Sequence, residues 1–439
     1  MSKIDLKKNI LTSGSFRALI MITSFFTSFM SARYLGVEIK GVYSYLYTVV
    51  GFAWLILDMG VYRSIPYLVR KFPDKLQEVF NLSVFLFVLE SLLLGIVGLC
   101  CIGFWSSLLG LELSRGSLIL IVMLITSSKF GMQLQSLYVG MDKIWNHSIA
   151  QLLSALFLVV MLLIGLLFAK DANKLMYMLA IGVGSQFLLV GSYLGMVKWE
   201  RIRFSFDPEL LKIIYSHSFR VFLSSLFVSF LLRVDIILIK RALSFSEVGI
   251  YSIAAHIIDV LQLASNVVGV LLLVKLADCT LIEDKWHIMR KILLVFSLIL
   301  GAANIGFLIL GKWLLGILFG SDFVPVYGVY LWLIPASFSL SFGSLFNNYL
   351  NSKGFPIISI ILPALALGTN VALNLLFIPI WGIYGAALAT SVSYTLWFLS
   401  IVAYEHFTTG KKLMFYLIPR KADFTELRDY ALSLIPLGR

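Results

Sequence analysis

Apolar stretches of about 20 residues, each long enough to cross a ~30 Å hydrocarbon core as a helix, recur from one end of this chain to the other. Of the 439 residues, 60% are hydrophobic and only 13% are charged. Soluble domains run at about 45–50% and about 25%. A water-soluble fold is excluded at this first step, and the chain reads as a polytopic α-helical membrane protein embedded in a lipid bilayer.

About twelve spans can be drawn, at approximately 10–34, 41–69, 79–105, 117–139, 147–169, 174–197, 213–240, 247–274, 288–310, 325–350, 355–378 and 381–407. The longest connection, 198–212, is charged and lies midway along the chain. It divides an N-terminal six-helix bundle (1–197) from a C-terminal one (213–407), with a tail at 408–439 whose mixed bases and apolar residues suit an amphipathic surface helix or a disordered end. With the N-terminus inside, inner segments carry 22 Lys and Arg, outer connections carry 8, and five of the 35 lie within spans. That asymmetry places both termini in the cytoplasm of a multi-pass cell-membrane protein. It also accounts for the net charge of +12 without nucleic acid. Cys100, Cys101 and Cys279 lie in or beside apolar segments and offer neither a disulfide framework nor zinc spacing. The apolar run after the basic start continues to Tyr34 without a small-residue cleavage site, so it reads as a retained first span.

The halves echo each other. "GVEIKGVYSY", with Gly41, Tyr43 and Ser44, matches "LSFSEVGIYSI", with Gly249, Tyr251 and Ser252, at a constant offset. An offset of six spans gives two pseudo-symmetric bundles of equal orientation, and transporters of that kind place the substrate between the repeats.

Charge at membrane depth costs at least ~2.5–3.5 kcal/mol per group, so such residues face a cavity or a partner. The bases inside spans are Arg17, Arg63, Lys129, Arg220 and Arg233, and the acids are Asp58, Glu90, Asp235 and Asp259. Helical spacing aligns several with polar neighbours: Arg17 with Ser24, Ser28 and Ser31; Lys129 with Gln133 and Ser136; His256 with Ser252, Asp259 and Gln262. Arg233 shares a face with Ser225 and Ser229, and its side chain diverges from that of Asp235 by about 200° on an ideal helix. Small polar residues on such faces also serve close helix packing. Snorkelling toward the interface competes as the explanation of Arg63 and Arg220, and it accounts for Arg33, Lys240 and Arg241. Glu90 and Asp259 have no opposite charge in their own spans, so each either neutralises a base on a neighbouring helix or titrates as a coupling-ion site. His256, one turn from Asp259, would fit a proton relay. Trp and Tyr near span ends need only the aromatic belt as explanation. No phosphate loop, metal-ligand cluster or nucleophile elbow occurs, and no outer catalytic loop. The expectation is a transporter, not an enzyme, needing no cofactor and no metal.

"SARYLGVEIKGVYSY" (31–45), "RVDIILIKRALSFSEVGIYSIAAH" (233–256) and "IPIWGIYGAALATSVS" (378–393) together resemble the polysaccharide repeat-unit (O-antigen) flippases of the Wzx type. These share a superfamily with multidrug/toxin extruders and the lipid II flippase. The resemblance implies two six-helix bundles working by alternating access on an oligosaccharide attached to undecaprenyl pyrophosphate. It implies that basic residues meet the pyrophosphate, and Arg17, Arg63, Lys129, Arg220 and Arg233 are the positions that could do so here. A monomer is expected, with polysaccharide polymerase and chain-length proteins as partners. The competing reading is a cation-coupled drug or toxin extruder of the same fold, using Asp58, Glu90 or Asp259 as its proton or sodium site.

Overall fold

A computed structural model describes residues 3–168, 173–197, 208–278, 282–351 and 356–410, with the side chains of 3–15, 17–18, 208–218, 263–287 and 351 left undescribed. The described residues are helical throughout: α1 (Lys3–Asp58), α2 (Val61–Lys71), α3 (Leu76–Cys100), α4 (Ile102–Leu109), α5 (Arg115–Gly140), α6 (Ile144–Phe168), α7 (Lys174–Met196), α8 (Pro208–Ala242), α9 (Phe245–Asp278), α10 (Ile282–Leu318), α11 (Val326–Asn351) and α12 (Ile358–Thr409). Helix is what a bilayer demands, because nothing in the hydrocarbon can satisfy an open backbone.

Two of these helices are each a pair. α1 breaks at Gly36 (φ 74°) and α12 at Gly382 (φ 58°), both in the left-handed region that glycine alone enters freely. The chain reverses at both breaks. The Lys40 ammonium donates to the Ser31 hydroxyl at 2.7 Å, although nine residues of straight helix would separate them by about 13.5 Å. A β-carbon at Gly385 would lie 2.3 Å from the Phe377 carbonyl oxygen, again possible only if the chain doubles back. Nine helices are long and apolar enough to cross a membrane among the described residues. Counting both broken helices as two passes and adding α9 yields the twelve expected.

Packing sorts the chain into two compact units. The first comprises 1–252 with 318–322; the second comprises 253–317 with 323–439. The units divide within α9, whereas the division by span count falls at 198–212. α8 joins the first unit because it packs on α1 and α2.

In the first unit, one core gathers Ile65, Leu68, Phe80, Leu134, Leu137 and Tyr193 from α2, α3, α5 and α7. A second gathers Met30, Tyr34, Leu162 and Met178 from α1, α6 and α7. Large apolar side chains such as Leu92, Ile96 and Leu167 are more than half exposed, the inverse of a soluble protein and the surface a lipid chain wets. The repeated motifs touch each other here. A β-carbon at Gly41 would lie 1.8 Å from the Phe245 carbonyl oxygen, and one at Gly249 would lie 2.1 Å from that of Val37. Ser44 and Ser252, 208 residues apart, share a 3.0 Å hydrogen bond. The contact is reciprocal, motif against motif, as in an isologous interface.

In the second unit, Asn304 of α10 bonds Ser337 (3.2 Å) and receives the Tyr330 hydroxyl (2.9 Å), both on α11. Ser339 meets Thr395 of α12 at 2.8 Å, and Gln262 of α9 donates to Ser344 at 2.8 Å. Ser337, Ser339 and Ser344 of α11 thus serve as packing glue between helices.

Candidate functional site

Three of the four acids expected within spans lie in the first unit, and two of those join a buried network around Lys129 and Gln133 of α5. Asp58, the last residue of α1, is wholly buried. Its Oδ1 accepts the Gln133 amide at 2.8 Å and its Oδ2 accepts the backbone N–H of Tyr62, in the first turn of α2, at 3.0 Å. One turn from Gln133 on the same face of α5, Lys129 makes a salt bridge to Glu90 of α3. The two side chains are 3% and 16% exposed. A lone charge at this depth would be costly, and the pairing across α3 and α5 is what makes it tolerable.

Beside this network lies a cavity of about 380 Å³, walled by α1, α2, α5 and α8. α1 supplies Tyr47, Thr48 and Trp54; α2 supplies Tyr62; α8 supplies Ser229 and Arg233. Trp54 and Tyr62 meet edge to face with centroids 5.7 Å apart. Phe52 stacks on Phe230 at 4.1 Å and ties α1 to α8 along the wall. The Arg63 Nε donates to the Tyr62 hydroxyl at 2.6 Å from outside the cavity. Aromatic faces beside hydroxyls offer stacking and hydrogen bonds to a polar ring such as a sugar. The guanidinium fork of Arg233 matches phosphate or carboxylate geometry.

The bases named from the sequence do not gather into one cationic path among the described residues. Arg233 lines the cavity. Lys129 is bridged to Glu90 and is not among the residues that line it. Arg63 is exposed on α2, which follows the turn at Met59 and Gly60 and packs along α5. Arg220 is exposed on α8. The side chain of Arg17 lies outside the described residues. Asp235 is buried and accepts the Tyr251 hydroxyl from α9, on a different side of α8 from the cavity. His256 and Asp259 belong to the second unit. Among the described residues no cluster of three or more His, Cys, Asp or Glu could hold a metal ion.

Reasoning from the sequence missed the aromatic walls, since it singled out none of Tyr47, Trp54 and Tyr62. The signal was present: Tyr47, Gly51 and Trp54 stand at i, i+4 and i+7, one face of a helix. Lys40 was missed as well. It was placed in a connection, yet it is buried against Ser31 where α1 folds back.

A family model described as "polysaccharide biosynthesis protein" matches residues 6–273. No curated protein matches the chain. Among solved structures, the lipid II flippase MurJ in an inward closed conformation aligns over 98% of this chain and 94% of its own, with a TM-score of 0.71 at 14% identity. An inward-facing multidrug resistance MATE family transporter of the MOP superfamily aligns over 90% and 98%, with a TM-score of 0.69 at 14% identity. A MOP superfamily transporter from Pyrococcus furiosus, described as having a binding pocket of reversed polarity, aligns over 92% and 97%, with a TM-score of 0.62 at 14% identity. At such identities the likeness establishes the fold alone.

Proposed function

The chain belongs to the polysaccharide biosynthesis protein family, and from that premise we propose that it is a flippase for a lipid-linked oligosaccharide. The cargo is a sugar repeat unit on undecaprenyl pyrophosphate, moved from the inner to the outer leaflet of the bacterial cell membrane for O-antigen-type surface polysaccharide. The observation that carries the reading is the cavity of the first unit, where Tyr47, Trp54 and Tyr62 stand beside Ser229 and Arg233. Rings, hydroxyls and one guanidinium suit a glycan near a phosphate better than they suit an apolar or cationic drug. The fold supports alternating access, and no enzymatic step is invoked.

Orientation follows from the basic residues. The inner segments carry 22 bases against 8 in the outer connections, which supports the assignment of both termini to the cytoplasm. An inside-negative potential then favours outward movement of negative charge by ~2.3 kcal/mol per charge per 100 mV. A pyrophosphate of about two charges gains about twice that when no counter-ion accompanies it. We assign a monomeric working unit, with the polymerase and chain-length proteins of the same assembly line as its partners.

The test is complementation in cells lacking their own repeat-unit flippase, with Trp54→Ala and Arg233→Gln beside the unaltered protein and all expression levels matched. Surface polysaccharide restored by the unaltered chain and lost in both variants supports the reading. The buried carboxylate of Asp58 and the likeness to MATE transporters favour a second reading, a cation-coupled extruder. Proton-dependent dye efflux abolished by Asp58→Asn, with no polysaccharide restored, would select it.

A further inference from the structure

The internal repeat extends beyond the two glycine motifs. "GFWSSLLG" (103–110), after the third span, lines up with "GKWLLGIL" (311–318), after the ninth, with Gly103 on Gly311 and Trp105 on Trp313. The offset is 208 residues, the same as between Ser44 and Ser252. Gly110 (φ 63°), the left-handed cap of α4, therefore matches Leu318, the last residue of α10. In the first and seventh spans the same offset sets Arg33 on Arg241, beside Lys240. All four places follow an odd-numbered pass, so they share the membrane face opposite the N-terminus.

In each repeat, a helix end is met by a cation from the other. The Arg33 Nε donates to the Leu318 carbonyl at 2.7 Å, across 285 residues. Phe319, only 5% exposed, meets Phe25 and Phe29 edge to face with both centroids at 6.4 Å. Phe25, Phe29 and Arg33 follow at four-residue steps, on one face of α1. This seat is why 318–322 groups with the first unit while the residues on either side do not. Reciprocally, the Lys240 ammonium lies against the end of α4, where a β-carbon on Gly110 would be 3.5 Å from its Nζ. Lys240 meets no carboxylate among the described residues. A helix C-terminus has carbonyls without partners and a partial negative charge, so a cation is its natural complement. Snorkelling explains the depth of these two cations but not why each head lies on a helix end.

Both cations adjoin the contact between the repeated motifs. Lys240 stands 4.4 Å over the Phe245 ring, and the Phe245 carbonyl faces Gly41. Arg33 is followed within one turn by the reversal at Gly36 that leads to Gly41. One turn beyond Ser44, which bonds Ser252, Thr48 is already a wall of the aromatic cavity. We propose that Arg33 and Lys240 are paired latches that hold this cavity shut at the membrane face opposite the N-terminus, each by gripping a helix end from the other repeat. Arg33 is exposed and Lys240 half-buried, so each grip is a single surface contact that a transport cycle can break and remake.

The latches do not depend on the cargo, so their test needs no substrate. Ser229→Cys, on the cavity wall, is introduced with Cys100, Cys101 and Cys279 changed to alanine, and the full chain is reconstituted in vesicles. A charged maleimide is added to one face at a time, with sidedness read from protease access to an N-terminal tag. From the face opposite the N-terminus, Arg33→Gln and Lys240→Gln each speed labelling about twofold to fivefold, the range for one cation at a helix end. The double variant speeds it about fourfold to twenty-fivefold, because distant sites add in free energy. Arg115→Gln, which alters an exposed cation on the same face, leaves the rate unchanged. Labelling of the double variant at the unaltered rate overturns the proposal. So does an equal rise from both faces, which marks a general loosening of the fold. Complementation separates this inference from the flippase reading. If the unaltered chain restores no polysaccharide while the latch variants label as expected, the flippase reading falls and the latches stand. If it restores polysaccharide while the double variant labels at the unaltered rate, the latches alone fall.

Discussion

Replacing Lys129 by methionine strands the Glu90 carboxylate inside the helix bundle. One Glu90 oxygen is bonded only by Lys129, and the other has no hydrogen-bond partner among the described residues. Breaking a buried pair by removing one member costs about 3–5 kcal/mol, because the surviving charge is left uncompensated. The first unit is slightly larger than a domain of 150–250 residues, for which 1 kcal/mol shifts the melting temperature by about 2–4 °C. Lys129→Met is therefore expected to lower the apparent melting temperature in detergent by about 6–20 °C. Lys129→Met with Glu90→Leu removes both charges and fills both volumes with apolar atoms, which is often neutral or stabilising for a buried pair. The double variant should recover most of the loss, a coupling of at least about 2 kcal/mol, well above the ~0.5 kcal/mol within which distant sites add. Thermal unfolding followed by size-exclusion fluorescence reads all four corners of the cycle. A double variant as unstable as Lys129→Met, or a single variant that melts like the unaltered protein, would refute the reasoning. Transport assays on the rescued double variant would then show whether the pair has a role beyond stability.

Gly41→Ala and Gly249→Ala each place a β-carbon about 2 Å from a backbone oxygen of the facing motif, so both should reduce yield and melting temperature sharply. Gly51→Ala, with nothing within 4 Å, should not, and thermal unfolding of the three variants side by side checks the contrast. Arg233→Gln and Trp54→Ala should fold normally yet lose repeat-unit transport, because both residues are only partly buried at the cavity wall; a transport rate equal to that of the unaltered protein in either would remove that residue from the site. Asp58→Ala takes the acceptor from Gln133 and from the Tyr62 amide, at a cost of about 1–3 kcal/mol for the groups left unpaired. Asp58→Asn keeps an acceptor and should recover part of that loss in the same melting assay.

The twelve-pass helical fold was legible in the sequence because hydrocarbon length and backbone satisfaction leave a run of about 20 apolar residues one solution. The internal repeat was legible too, and Gly41, Ser44, Gly249 and Ser252 prove to be one contact seen from both sides. Three features were decided only by the tertiary structure. Lys129 neutralises Glu90 across 39 residues, and Asp58 takes Gln133 across 75, because α1, α3 and α5 are neighbours and no local pattern records which helices meet. The second span turns at Met59 and Gly60, and α2 continues along α5 with Arg63 on its exposed face, a break that hydropathy does not mark. The rings of Tyr47, Trp54 and Tyr62 form a cavity wall only because α8 lies across from them. In water, a helix face declares itself by polarity. In a bilayer, apolar side chains suit lipid and protein core alike, so the sequence determines that a segment spans, while tertiary packing decides which face it turns inward and which charge it meets there.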